Sequence, residues 1–256
     1  MEKIKISIIT ICYNNKSGLE QTIRSVGSQI YNSKEFIIID GGSRDGSSDL
    51  IDNYQEFIDI FVSEPDNGIY DAINKGISKA TGEWIICMNA GDTFTDKYVL
   101  ENIFKENIPA SISVIYSDYW AKTYDGFKYI CYMDRSKGTL MHQSCIYRKK
   151  LHAQYGLYLV TKPYICSDLQ FLLMIPNEEY FKAPFPISIN ACGGVSQNNT
   201  WCDECSQGLK VAFRIESMNH AFFNYHKAVI KNAIPYKIKR LIKQIILRRE
   251  FIKIEF

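Results

Sequence analysis

The chain alternates continuous apolar runs with segments whose apolar residues recur at helical spacing. Residues 4–10, 36–39, 58–63 and 84–88 are apolar runs of strand length, bounded by polar or glycine-bearing turns, which predicts buried strands. Between the first two, Ser17 and Glu20 read as a capping box for a helix reaching Gln29. A short helix is predicted after the Asp40-Gly41-Gly42-Ser43 turn, ending at Tyr54. Ile69, Ala72, Ile73, Ile77 and Ala80 share one face of a helix over 69–79, closed by Thr81-Gly82. Three successive strand–helix alternations predict an α/β fold with a parallel, right-handed, doubly wound sheet.

Beyond residue 92 the order changes. Residues 93–96 look like a helix start, and the helix is predicted to run over 97–104. Strands are predicted over 113–119 and 127–133, around the turn Tyr124-Asp125-Gly126. Residues 142–148 form another apolar stretch, and 167–174 a helix with Cys166 or Ser167 near its cap. Residues 182–192 are strand-like, but Pro184 and Pro186 argue for an edge position. A polar loop runs from Gly193 to Trp201, and 203–223 read as mostly helical. From Tyr236 onward, Ile238, Leu241, Ile242, Ile245, Ile246 and Ile252 form one helical stripe, with Lys237, Lys239, Arg240, Lys243 and Arg248 mainly elsewhere. The stripe suits a basic amphipathic helix on an anionic membrane surface, or a helix docked on the body with its charges solvated.

Charge sharpens that division. Residues 227–256 carry nine Lys/Arg and two Glu, a net of +7, so the remainder, with 21 basic and 26 acidic residues, stands at −5. The overall net of +2 implies no nucleic-acid partner. The expected organisation is a body over 1–225 and a basic helical extension over 226–256. Eight cysteines are scattered, several of them in apolar runs (Cys12, Cys87, Cys145), which reads as reduced, buried thiols of a cytosolic protein. Cys202 and Cys205 have metal-ligand spacing, but no second pair follows at zinc-site distance. The amino terminus lacks a signal-peptide cleavage pattern, and no apolar run approaches the length of a membrane span.

The candidate chemistry lies at strand ends. The apolar run 84–88 stops at Asn89-Ala90-Gly91-Asp92, and a carboxylate at the tip of a buried parallel strand stands where open α/β sheets bind ligands. Asp92 would alternatively cap the following helix. In a parallel sheet the ends at Thr10–Asn14, Asp40 and Asn89–Asp92 share one edge. Asp40 could accept a hydrogen bond from a nucleobase imide. Asp92 could bind Mg2+ or Mn2+ bridging two phosphates. Together they suit a nucleoside diphosphate compound.

The segments SIITICYNN (7–15), IIIDGGSRDGS (37–47), SEPDNGIYDAINKGISKATGEWIICMNAGD (63–92), HQSCIYRKKL (142–151) and CSDLQFLL (166–173), in this order, resemble the family 2 inverting glycosyltransferases of the GT-A fold. More narrowly, they resemble bacterial enzymes of capsule, exopolysaccharide and O-antigen assembly. The resemblance implies that Thr10, Tyr13, Asn14 and Asp40 hold the nucleoside. It puts Asp66, Asp71, Asn74 and Lys75 in the segment lining the nucleotide-sugar site, although Asp71 and Asn74 also read as helix-surface polarity. Asp92 matches the last aspartate of the family's DxD motif, which touches a Mn2+ or Mg2+ ion. Asn89 and Gly91 stand where carboxylates often occur, so the metal would have fewer protein ligands. Asp168 matches the catalytic base, or else is a helix N-terminal acid favoured by the dipole. His142, of the His142-Gln143 pair, would ligate the metal, touch the diphosphate, or serve structure alone. Asp118 is a lesser candidate for the sugar or acceptor.

The resemblance thus implies transfer of a hexose or N-acetylhexosamine from a UDP-sugar, with inversion, to a saccharide acceptor. A lipid-diphosphate-linked acceptor at the inner membrane face would suit the basic tail. The weakened Asn-Ala-Gly-Asp motif also allows a non-catalytic sugar-nucleotide-binding subunit of an assembly complex. A nucleotidyltransferase would need a glycine- and lysine-rich triphosphate loop, which residues 10–20 do not supply.

Overall fold

The computed structural model describes residues 4–105, 108–161, 165–194, 200–245 and 252–253. From the amino end the chain forms β1 (Ile6–Cys12), α1 (Lys16–Gly27), β2 (Lys34–Asp40), β3 (Ile60–Ser63), α2 (Ile69–Lys79) and β4 (Trp84–Cys87). There follow β5 (Thr93–Phe94), α3 (Val99–Phe104), β6 (Val114–Tyr116), β7 (Tyr119–Lys122), β8 (Phe127–Cys131), β9 (Cys145–Arg148), α4 (Leu151–Tyr155) and α5 (Ser167–Met174). Last come β10 (Tyr180–Lys182), β11 (Ser188–Asn190), α6 (Thr200–Ala212), α7 (Met218–Ala233), α8 (Tyr236–Ile245) and β12 (Ile252–Lys253).

The main sheet has seven strands in the order β10-β6-β9-β4-β1-β2-β3. β1 pairs in parallel with β2 and β4, and β2 with β3, as the strand–helix alternation predicts. β9 then runs antiparallel to both β4 and β6. The strands are apolar on both faces because helices cover both. Ile6, Ile8, Phe36, Ile38, Trp84 and Ile86 pack with Leu19, Ile23 and Val26 of α1 and with Val99, Leu100 and Ile103 of α3. The alternate positions Ile9, Ile37, Ile39, Ile85 and Cys87 pack with Ile73 and Ile77 of α2 and Phe171 and Leu172 of α5. Gly76 lets α2 lie close on β1: a Cβ there would come within 2.4 Å of Ile9 Cγ2. A smaller five-stranded sheet, β12-β8-β7-β11-β5, stands beside the main one.

Several expectations change. The cap of α1 is Asn15, whose side chain accepts from Gly18 N, rather than Ser17, which lies inside the helix. The segment 48–57 forms two 3-10 turns. Residues 93–94 form β5 rather than a helix start, since they pair with β11, and Asp92 caps no helix. The stretch 113–119 divides between β6 in the large sheet and β7 in the small one. Residues 180–190 divide likewise: β10 is an edge, but β11 sits between β7 and β5, with Pro184 and Pro186 in the crossing. The boundary expected at residue 225 falls inside α7. α8 docks on the hairpin of β7 and β8, where Arg240 pairs with Asp125 and lies 4.1 Å from the Phe127 ring centroid. Residues 246–251 of the expected stripe lie outside the described residues. All eight cysteines are free thiols.

Candidate active site

The Asn89–Asp92 turn at the end of β4 is held from three sides. Gly91 has φ +104, a left-handed conformation suited to glycine. Its N–H donates to Gly18 O (3.0 Å) and Thr22 Oγ1 (2.9 Å). Thr22 Oγ1 donates to Asp92 O (2.7 Å), and Asn15 Nδ2 to Ala90 O (3.0 Å). The first turns of α1 therefore position this strand tip. The Asp92 side chain accepts from Ala191 N just after β11 (2.7 Å). It is almost wholly buried, and burial pushes its carboxyl up to about 6, against the opposing effects of the Ala191 N–H and the nearby His142.

Asp168 opens α5 and is hydrogen-bonded at both oxygens. Tyr70 Oη of α2 donates to Oδ1 (2.6 Å), and His142 Nδ1 lies 2.7 Å from Oδ2. Tyr70 Oη in turn accepts from Ser167 N (3.0 Å). Burial alone would raise the Asp168 carboxyl, but the His142 ring and the Tyr70 hydroxyl outweigh it and hold the group below its ordinary value. The partner effect is mutual: burial opposes protonation of His142, yet Asp168 leaves its affinity for a proton raised. His142 Nε2 faces Asn89 Nδ2 at 3.3 Å. A continuous set of contacts thus joins Asn89, His142, Asp168 and Tyr70.

This set backs onto a cleft of about 820 Å3, a size that suits a small-molecule site. Tyr13, Asp66 and Ile69 line one arm, and Asn89, Asp92, Met141 and Gln143 its centre. Tyr119, Lys122, Tyr124 and Tyr129 of the β7–β8 hairpin form a wall, and Lys231, Asn232 and Lys239 of α7 and α8 line the far arm. Asp168 does not itself line the cleft; it connects to it through His142 and Asn89, with 19% of its side chain exposed.

The anticipated residues therefore separate. Tyr13, Asp66, Asn89, Asp92, His142 and Asp168 gather at or directly behind the cleft. Thr10 is buried and ties β1 to β4 by donating to Met88 O (2.6 Å). Asn14 organises the neighbouring turn, its Oδ1 accepting from Arg44 N (2.8 Å). Asp40 sits at the expected sheet edge, but its carboxylate is occupied by Ser43 N, Gly42 N, Ser43 Oγ and Ser63 Oγ and is fully buried. It holds the glycine-rich turn closed. Asp71 accepts from Asn67 N, Asn74 clasps the backbone of Tyr158, and Lys75 pairs with Glu64. Gly91 shapes its turn. Asp118 binds Lys182 and Met133 N. Tyr70 and Lys122 were not anticipated. Tyr70 lies on the apolar face of α2, where a hydroxyl gives no periodic signal, and Lys122 lies in a hairpin strand of mixed polarity.

The donors around Asp92 fit a hard divalent cation. Asn89 Oδ1 and Gln143 Oε1 are buried without a hydrogen-bond partner, and both residues line the cleft centre with Asp92. Oxygen-only donors are what Mg2+ and Mn2+ prefer. Among the described residues no group of three His, Cys, Asp or Glu side chains is arranged to hold a metal. A divalent cation held there by one carboxylate and amide oxygens would have few protein ligands. His142 has both ring nitrogens beside other side chains, Asp168 and Asn89.

Residues 7–153 match the model of glycosyl transferase family 2. An uncharacterized glycosyltransferase of Mycobacterium tuberculosis is 38% identical over 91 residues, 35% of each chain. A poly-beta-1,6-N-acetyl-D-glucosamine synthase of Staphylococcus aureus is 37% identical over 103 residues, 38% of this chain and 25% of that one. The chain thus spans about a quarter to a third of the length of these relatives. Among solved structures, a mannosyltransferase of Pyrobaculum calidifontis in complex with GDP-Man and Mn2+ superposes with TM-score 0.67 at 14% identity, covering 95% of this chain and 80% of that one. Residues 1–349 of S. aureus TarS in complex with UDP-GlcNAc superpose with TM-score 0.63 at 13% identity, covering 95% and 76%. The fold is the α/β GT-A fold.

Proposed function

Because the chain belongs to glycosyl transferase family 2, we propose that it moves a hexose or N-acetylhexosamine from a UDP-sugar to a saccharide acceptor with inversion at the anomeric carbon. The acceptor is a lipid-diphosphate-linked saccharide of surface polysaccharide assembly, met at the inner membrane face. The observation that carries the chemistry is the Asp168–His142 contact (2.7 Å) reaching, through Asn89, the turn that bears Asp92. The relatives named for N-acetylglucosamine polymer synthesis and for a UDP-GlcNAc complex support the donor class.

Inversion in a single displacement needs an acceptor hydroxyl on the face of the sugar opposite the diphosphate. The anomeric carbon–phosphate oxygen bond breaks as the acceptor oxygen–carbon bond forms, and the hydroxyl proton passes to the Asp168 carboxylate. Tyr70 and His142 hold that carboxylate and keep it ionised. In this reading Tyr13 and Asp66, which line one arm of the cleft, meet the nucleoside, and Lys122 meets the diphosphate. A divalent cation held by Asp92 with the Asn89 and Gln143 amide oxygens would supply charge neutralisation on the leaving diphosphate.

Two outcomes test this. Thermal shift with several nucleotide sugars and Mn2+ should show stabilisation by one UDP-sugar, and chelation with EDTA should abolish turnover; full activity without divalent ions would refute the role of Asp92. Tyr70→Phe keeps the ring, 5.7 Å from that of Tyr158, and removes one donor to Asp168. It is expected to lower kcat about tenfold with KM for the donor unchanged. A fall confined to KM would remove Tyr70 from the support of the base.

A further inference from the structure

α7 has two unlike faces. Ala221, Asn224 and Asn232 turn inward: Ala221 is 4% exposed, Asn224 donates to Glu216, and Asn232 donates to Asp203 of α6. On the opposite side Phe222, Phe223 and Ile230 are 65%, 62% and 66% exposed, and Met218 at the first turn is 69% exposed. At helical spacing Met218, Phe222 and Phe223 are neighbours on this side, and the exposed His226, its ring centroid 4.1 Å from that of Phe222, stands between Phe222 and Ile230. Isolated exposed apolar residues are ordinary, but a clustered strip on one helix face marks an interaction surface. The neighbouring helix adds Ile238 and Leu241, half exposed beside Lys237.

The charge around this strip selects its occupant. Among the described side chains Lys227 and Lys237 are exposed on α7 and α8, and no aspartate or glutamate occurs between Ser217 and Ile245, whereas Lys231 and Lys239 line the cleft and Arg240 pairs with Asp125. Lys227 stands on the exposed side of α7 itself. Pairing two such surfaces in a homodimer would bring together strips of one sign of charge. An anionic lipid surface satisfies both features, taking aromatic and aliphatic side chains at the headgroup–acyl boundary and cations at the phosphates. No helix among the described residues is long and apolar enough to cross a membrane.

We infer that the exposed face of α7 (Met218, Phe222, Phe223, Ile230), with the exposed Lys227 of α7 and Lys237 of α8 nearby, seats the protein on an anionic lipid bilayer. The insertion face is thus on α7, ahead of the basic tail, while α8 is partly occupied in docking to the β7–β8 hairpin through Arg240. Lys231 and Asn232 of the same helix line the far arm of the cleft, so the seat brings that arm near lipid-borne acceptors; this last consequence rests on the transferase reading.

The test is flotation of the full chain with vesicles of phosphatidylglycerol and phosphatidylcholine, against phosphatidylcholine alone, without donor or acceptor. Binding is expected only to the mixed vesicles and should weaken as salt is raised. Phe222→Ser with Phe223→Ser should lower that binding at least tenfold, and Lys227→Glu about tenfold. Ile230→Ser provides a separate apolar test should the double variant fail to fold. Equal binding to both vesicle types, or apolar variants that bind as wild type, would overturn the inference. So would a wild-type dimer in sedimentation that the Phe222/Phe223 variant dissolves without any vesicle binding. UDP binding by thermal shift separates the two proposals. Lost flotation with intact UDP binding sinks the lipid seat alone, and intact flotation without UDP binding sinks the transferase reading alone.

Discussion

Asp168→Asn is expected to lower kcat by roughly 10²–10⁴-fold while UDP-sugar affinity stays within about twofold. The substitution is nearly isosteric, and the amide oxygen can still accept from Tyr70 or face His142, so the fold should persist. What disappears is a negative group able to take the acceptor hydroxyl's proton. The Asp168 carboxyl sits below its ordinary value, because His142 and Tyr70 outweigh the effect of burial. Its charge is therefore present through the whole neutral range, and the wild type should show no acid limb from this group near neutrality. Single-turnover assays with excess enzyme would check the chemical step, and calorimetric titration of the donor would check binding. A variant with undiminished turnover would remove Asp168 from catalysis.

Asp92→Asn is expected to destroy turnover and yet stabilise the protein. The first effect follows from losing the one carboxylate among the candidate metal ligands, and should cost about 10²–10³-fold in kcat/KM. The second follows from burial, which pushes the Asp92 carboxyl up to about 6 from its model-compound value of 3.8. With the folded-state value above the unfolded one, the folded chain holds the extra proton between the two. Stability from this group is then complete below the unfolded value and is lost as pH rises through about 6. At neutral pH the buried charge is a net burden, which asparagine removes while its oxygen still accepts from Ala191 N. A gain of about 1–3 kcal/mol follows, or several degrees in Tm. Calorimetry without metal should find the gain at about pH 7.5 and little of it at about pH 4.5. A pH-independent difference would refute burial as the cause. Added Mn2+ should stabilise the wild type and leave the variant unchanged.

Much of the scaffold was readable along the chain. The apolar spacing of α2 located that helix at Ile69–Lys79, and the runs ending at Asp40 and Cys87 are strands of a parallel array. These elements are legible because burial on both sheet faces leaves continuous apolar runs and burial on one helix face leaves a period of 3.6 in the sequence. The motif residues Asn89, Asp92, His142 and Asp168 were also identifiable, and they do come together.

Only the tertiary structure decided what those residues touch. Asp40 stands at the expected edge, but the hydroxyls of Ser43 and Ser63, brought by the turn and β3, consume its carboxylate. Tyr70 and Asp168 are 98 residues apart, and nothing in either local pattern says that one donates to the other. β9 lies between β4 and β6 and runs antiparallel to both, and residues 180–190 divide between an edge strand of one sheet and an inner strand of the other, pairings made with residues distant in the chain. The carboxyl-terminal helices likewise read as an appendage, although Lys231 and Lys239 line the cleft. By itself the sequence determined the local elements, the strand tips and the residue types carried there, since these follow from backbone geometry and the burial of neighbouring side chains. Pairing across the chain settled which polar groups are spent on the fold and which remain for a substrate, because a carboxylate's availability depends on every donor that folding brings within reach of it.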